Sequence, residues 1–207
     1  MIRADHPRLR IAAALLLLMV LVLPPLRHWW EAGMVRHMLG QIPLLVLAGC
    51  LVGPLLLPRR QSGPGWQQSE AVAATIIGLV SLAFWMLPRW LDAAVVDPWV
   101  DLAKILSLPL LGGIPLSWGW VRLRMVARGF VWIHVLTMWL ILGVLYLGYP
   151  ERLCNNYLAS EQAALGHASL YVAAALGLGA ALLALFGGGP EASPAARNRH
   201  GAVARAG

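Results

Sequence analysis

The sequence predicts an all-α, polytopic membrane helix bundle, and three observations carry that prediction. Apolar residues make up 59% of the chain and charged residues 12%, against roughly 25% charged residues in soluble domains. Mean hydropathy is +0.70. The apolar residues fall into runs of span length, about six in all. Basic residues crowd into alternate connections between those runs, which is the pattern of a protein threaded repeatedly through a bilayer.

The first run is Ile11 to Leu26, followed by Arg27-His-Trp-Trp30. No small-x-small cleavage site follows it, so it reads as an uncleaved first helix with Trp29 and Trp30 as interfacial anchors. Met38 to Leu57 is the second span, kinked by Pro43 and Pro54. The Gly, Gln and Ser content of 58–70 marks a cytoplasmic linker. Ala71 to Leu87 is the third span and places Met86 near the outer surface. Asp92 to Asp101 reads as an acidic, solvated outer connection. Leu102 to Val121 is the fourth span, with Lys104 near enough to its outer end to snorkel. Gly129 to Gly148 is the fifth and Ala163 to Phe186 the sixth, rich in small residues that favour close helix packing. Residues 1–187 thus form one membrane domain. Residues 188–207, made of Gly, Pro, Ala and Arg without an apolar face, are expected to be a disordered cytoplasmic tail. No repeat of useful length stands out.

Charge assigns the sides. Arg3, Arg8, Arg10, Arg59, Arg60, Arg122, Arg124, Arg128, Arg197, Arg199 and Arg205 lie in alternate connections, while most acids lie in the others. The positive-inside bias therefore puts both termini in the cytoplasm. The net charge of +7 reports this topology and not a nucleic-acid partner; the partner that composition implies is the lipid bilayer. Cys50 and Cys154 fall at different depths, too far apart to bridge. Cys50 reads as a small core residue, and Cys154 as either an incidental thiol or a soft-metal ligand.

Chemistry concentrates at the start of the second span. Met34, His37, Met38 and Gln41 are spaced i, i+3, i+4 and i+7, which places them on one helix face. Thioether and imidazole together suit copper, thioether favouring Cu(I); the alternative is plain packing at the membrane boundary. At about 1.5 Å per residue, His167 lies in the same leaflet as His37, and His134 enters from the cytoplasmic side with Met138 one turn deeper. Ser160 and Glu161 read as the N-cap and first-turn acid of the sixth helix. Phosphate-loop, Gly-x-Ser-x-Gly, His-Glu-x-x-His and Cys-x-x-Cys patterns do not occur, so the chain reads as a non-enzyme.

Two stretches together resemble the CtaG family of cytochrome c oxidase assembly factors. One is Arg36-His-Met-Leu-Gly-Gln-Ile-Pro-Leu-Leu-Val-Leu-Ala-Gly49. The other runs from His134-x-x-x-Met138 through Gly143 and Tyr149-Pro150 to Glu161-Gln-Ala-Ala-Leu-Gly166. Gln41 stands where that family typically carries a second histidine, Glu161 where it usually carries Asp, and six spans replace the common seven. The resemblance implies a multi-pass protein of the bacterial inner membrane that handles copper, without catalysis, during assembly of a haem-copper oxidase. Its partners would be an oxidase subunit and a periplasmic copper donor. On that reading the metal ligands come from His37, Met38, Met34, His167, Gln41 and His134. A haem-b or quinone-binding electron-transfer subunit, with His37 and His167 as axial ligands, is the competing expectation. A small transporter is a third, although no carboxylate is expected deep in a span.

Overall fold

A computed structural model describes residues 7–56, 64–149 and 151–186. The proposed cytoplasmic tail and residues 58–63 of the linker after the second span lie outside the described residues, while 64–70 of that linker are helical. Every regular element among those described is helical: α1 (Pro7–Val22), α2 (Pro24–Glu31), a π-helical turn (Arg36–Gln41), α3 (Ile42–Leu56), α4 (Pro64–Trp85), α5 (Pro88–Val96), α6 (Pro98–Ser107), a second π turn (Leu108–Gly113), α7 (Ile114–Arg122), α8 (Met125–Gly148) and α9 (Ala159–Phe186). Five helical stretches are long and apolar enough to cross a membrane: Arg36–Leu56, Gln68–Trp85, Pro98–Arg122, Met125–Gly148 and Ala159–Phe186. A sixth span arises if the bent pair α1–α2 counts as one.

The first run differs from its expected form. α1 and α2 meet at 69°, because Pro24 and Pro25 restrict the backbone before them and Leu23 is drawn to an extended ψ of 131°. Leu26 and Trp29 on α2 are exposed, as suits a helix lying in the interfacial zone. α5 repeats the arrangement: Leu87 precedes Pro88 at ψ 131°, and Trp99 beyond it is exposed.

This likeness is part of a repeat that the linear reading missed. Leu-Gly-Gln-Ile-Pro-Leu at 39–44 is matched by Leu-Gly-Gly-Ile-Pro-Leu at 111–116, differing only at Gln41 against Gly113. Each copy carries the end of a π turn two residues before its proline. Pro43 and Pro115 lack the N–H that would close an α turn, and a wide turn absorbs that gap. Side chains add bonds to the backbone around Pro115: Cys50 Sγ donates to Gly113 O (3.3 Å) and Ser117 Oγ to Ile114 O (3.0 Å). Each half of the repeat therefore runs as a helix, a short helix, a π turn and a descending helix, with α6 added before the π turn in the second half.

The two descending helices pack side by side in parallel through glycine. A Cβ at Gly49 would overlap the Pro109 carbonyl, one at Gly53 the Ser117 hydroxyl, and one at Gly113 the Val46 carbonyl and the Cys50 amide nitrogen. α4 returns antiparallel to α7, with Gly119 against Ala71 and Thr75 and Gly78 against Leu116. α8 and α9 form an antiparallel hairpin that closes on Gly143 and Gly166, each facing the other's backbone. Their remaining surfaces are apolar and exposed, Phe130, Ile133, Tyr171 and Leu183 among them, as helices facing lipid acyl chains should be.

Because backbone cannot yield at Gly113, Gly113→Val is expected to destabilise the α3–α7 crossing by about 1–3 kcal/mol. Thermal unfolding in detergent checks this, with Gly129→Ala, whose Cβ would meet nothing within 4 Å, as the tolerated control.

Candidate functional site

The face predicted from Met34, His37, Met38 and Gln41 exists, and all four side chains are fully buried. The wide π turn carries His37, Met38 and Gln41. What they face was not foreseen. The Lys104 ammonium from α6 is also fully buried, 0% exposed, so it does not snorkel. Its three hydrogens go to His37 Nε2 (2.9 Å), Glu31 Oε1 (3.1 Å) and Gln41 Oε1 (3.2 Å). Asp101 Oδ1 lies 2.8 Å away as an ion-pair contact, off the hydrogen-bonding axes. Arg27, 30% exposed, reaches from the surface to Asp101 Oδ2 at 2.9 Å and to Glu31 Oε2 at 3.6 Å.

The tautomer of His37 follows from its neighbours. Tyr157 OH donates to the Glu31 backbone carbonyl (2.8 Å), which can only accept. The phenol oxygen must therefore accept from His37 Nδ1–H, 2.9 Å away. That leaves the lone pair on Nε2, where the ammonium donates. Gln41 is fixed the same way, its Nε2 donating to Leu21 O of α1 (3.2 Å), so its carbonyl oxygen faces Lys104. With neutral His37, two carboxylates balance Lys104 and Arg27. Such balance is the usual condition for burying charge at membrane depth.

The outer connection between α8 and α9 closes the site. Gln162 organises it, its Oε1 accepting from Leu153 N (2.9 Å) and its amide donating to Tyr146 O and Glu151 O (3.3 Å each). Asp92 of α5 pins the same connection by accepting from the Asn155 and Asn156 amides (3.1 and 3.0 Å). The acidic outer segment is thus structured and not simply solvated: Asp97 caps α6 at Trp99 N (2.8 Å), and Asp101 is buried. Ser160 is not the cap of α9 but lies inside it, and Glu161 reaches back to Leu158 N (3.4 Å). Held this way, the connection seats Tyr157 against His37 and Cys154 beside Tyr146, whose hydroxyl donates to Met38 Sδ (3.6 Å).

Met34, Met38, Met86 and Cys154 share one buried apolar core with Tyr146 and Tyr157. Burial, assisted by the charge of Asp92, pushes the Cys154 thiol up to about 11. Burial, then the charge of Glu31, also raises Tyr157 above the ordinary phenol range, so both keep their protons near neutrality. His167 does not join this group. It is exposed on α9 and its Nδ1 donates to Ala163 O in its own helix (2.8 Å). His134 is half-buried on α8 and takes no part in the Lys104 network. Among the described residues no three His, Cys, Asp or Glu side chains are grouped to hold a metal as they stand.

Lys104, Glu31, Asp101, Arg27, Tyr157 and Tyr146 were missed in the sequence. A signal was present: Arg27–Glu31 and Asp101–Lys104 are opposite charges spaced i, i+4 and i, i+3, each beside an apolar span. Fold and site together define a multi-pass, all-α membrane protein with a charge-balanced buried network at one end. No family model, curated protein or solved structure matches the chain.

Removing the Tyr157 hydroxyl strips His37 Nδ1–H of its acceptor, so Tyr157→Phe should cost about 1–3 kcal/mol, read as a lower unfolding temperature in detergent. For Cys154, only the thiolate attacks a maleimide. Labelling of the folded protein, followed on the Cys154 peptide by mass spectrometry, should be slow at neutral pH and rise as pH approaches the raised value. Rapid labelling at pH 7 would contradict the burial described.

Proposed function

We propose that this chain is an inner-membrane factor that takes Cu(I) as cargo from the periplasmic side and handles it during assembly of a haem-copper cytochrome c oxidase. One observation carries the reading. The two stretches that resemble the CtaG family are about a hundred residues apart in sequence, yet they meet at one buried place. Met38 of the first accepts from Tyr146, which lies within the second. His37 Nδ1–H donates to Tyr157, in the connection that Gln162 of the second stretch holds in place.

The donor chemistry fits a soft cation. A histidine that binds metal through one nitrogen almost always commits the other N–H to an oxygen partner, which fixes the ring and raises its basicity. His37 has that arrangement, with Nδ1–H on the Tyr157 oxygen and the lone pair on Nε2. Met34 and Met38 share the helix face of His37 and lie with Cys154 in one buried core, and sulfur selects Cu(I) over harder ions. Cargo must also leave, and a site with few strong ligands releases its ion more readily than a closed cage. Gln41, in place of a second imidazole, weakens the set in that direction. His167 and His134 are left out of the proposed ligand set, since neither reaches the network around His37.

His37→Ala is expected to lower the copper content and activity of the oxidase in the native host while this protein's own level holds. Metal analysis of the purified oxidase, alongside immunodetection of this chain, makes the measurement. Oxidase with its full copper complement in that strain would refute the assignment.

A further inference from the structure

The internal repeat has one side covered and the other bare. Superposing Leu39-Gly-Gln-Ile-Pro-Leu44 on Leu111-Gly-Gly-Ile-Pro-Leu116 sets Met34 against Leu106, His37 against Pro109 and Met38 against Leu110. The matching bends at Leu23-Pro24 and Leu87-Pro88 set Leu15 of α1 against Leu79 of α4, Leu18 against Leu82 and Val22 against Met86. α1 packs on α3 as α4 packs on α7, so the halves exchange about an axis between α3 and α7, as parallel repeats do about the membrane normal. The seat formed by the first π turn and α4 therefore has a counterpart formed by the second π turn and α1.

The α8–α9 hairpin fills the first seat. Met38 accepts from Tyr146, His37 meets Tyr157, and Cys154 Sγ lies 3.9 Å from the Pro88 carbonyl. Leu82 and Met86 share a core with Trp139, and Leu79 joins the small cluster around Val131. The counterpart is an open apolar groove of about 590 Å³. It follows α1 from Leu15 to Pro24, about 14 Å, with Leu106, Pro109 and Leu110 as the facing wall. Leu106 is 52% exposed and Leu110 55%, where Met34 and Met38 are 0% exposed.

We propose that this groove is the docking seat for one apolar membrane-spanning helix of another protein, which lies against α1 and the second π turn as α8 lies against α4 and the first. The copper reading is not needed for it. A helix presents three to four apolar side chains on one face over two turns, which is the row that the equivalent seat already takes from α8. The lining selects what enters. Pro109 and Leu110 stand where His37 and Met38 anchor Tyr157 and Tyr146, so the facing side of the guest carries no buried polar group. A second copy lending its own α8 would bury the Tyr146 hydroxyl against Leu110 without the sulfur that accepts it now, and would empty its own seat.

The test places the photo-cross-linker p-benzoylphenylalanine at Leu15, Leu23 or Leu110 of the full chain in its native host. Ile133 and Leu183, exposed on α8 and α9, serve as controls, and adducts are mapped by mass spectrometry. Groove positions are expected to capture one apolar segment of one other protein, and the controls not to. Leu15 and Leu23 should mark that segment about eight residues apart, the spacing of a helix lying along α1. Filling the groove with Leu106→Trp/Leu110→Trp, or more mildly with Met19→Trp, should abolish the Leu23 adduct while the level of this chain holds. Adducts to lipid alone, to a second copy of this chain, or to the same proteins from groove and control positions would each overturn the proposal. So would an adduct that persists in both filled variants.

Discussion

The Lys104 ammonium is the contact on which the arrangement of the outer half of this protein depends. An unpaired ammonium at that depth would cost several kcal/mol, and relief comes only if α2, the first π turn and α6 all meet at one point. Glu31, His37 and Gln41 are the partners that bring them there. α2 gains its place chiefly from these polar contacts. It lies across the outer end of the bundle with exposed apolar and aromatic residues on one side and Arg27 and Glu31 tied to α6 on the other. Removing a charged partner would leave the opposite buried charge uncompensated, so the charged members of the network depend on one another.

Below this level the bundle is held by a different kind of contact. In a bilayer the hydrophobic effect does not drive helices together, so close approach of backbones matters more. Gly49, Gly53 and Gly113 let α3 touch the second π turn and α7 through main-chain atoms, so the second π turn lies against the middle of α3. The repeat explains where the site lies. Arg27, Glu31, His37 and Gln41 belong to the first half and Asp101 and Lys104 to the second, so the charged network is the polar seam between two similar units. α8 and α9 stand outside the repeat and contribute through the connection between them, which delivers Tyr157 and Cys154.

Much of this was legible in the chain. Span number and the buried face of Met34, His37, Met38 and Gln41 follow from local rules of hydropathy and periodicity. The small residues expected to pack on the sixth helix are mostly exposed apart from Ala173, and the close contact falls instead at Gly166. The misreadings share one cause. Lys104 was taken to snorkel, Asp101 to be solvated and Ser160 to cap a helix because each was judged by its neighbours in sequence. His167 was grouped with His37 by depth, yet depth along a helix says nothing about azimuth, and its ring turned out to lie on an exposed face.

The residues by themselves determine that this is a helical protein of the bilayer, since an apolar chain can satisfy its backbone in lipid only by closing hydrogen bonds within each segment. They also determine where its helices bend, because proline acts on the turn it occupies. Which charges meet across elements, which nitrogen of His37 bears its lone pair and which histidines stay outside were decided by tertiary structure alone. Those outcomes depend on contacts between residues separated by some 60 to 130 positions, as with His37 and Lys104 or Glu31 and Tyr157. No local periodicity encodes such a meeting.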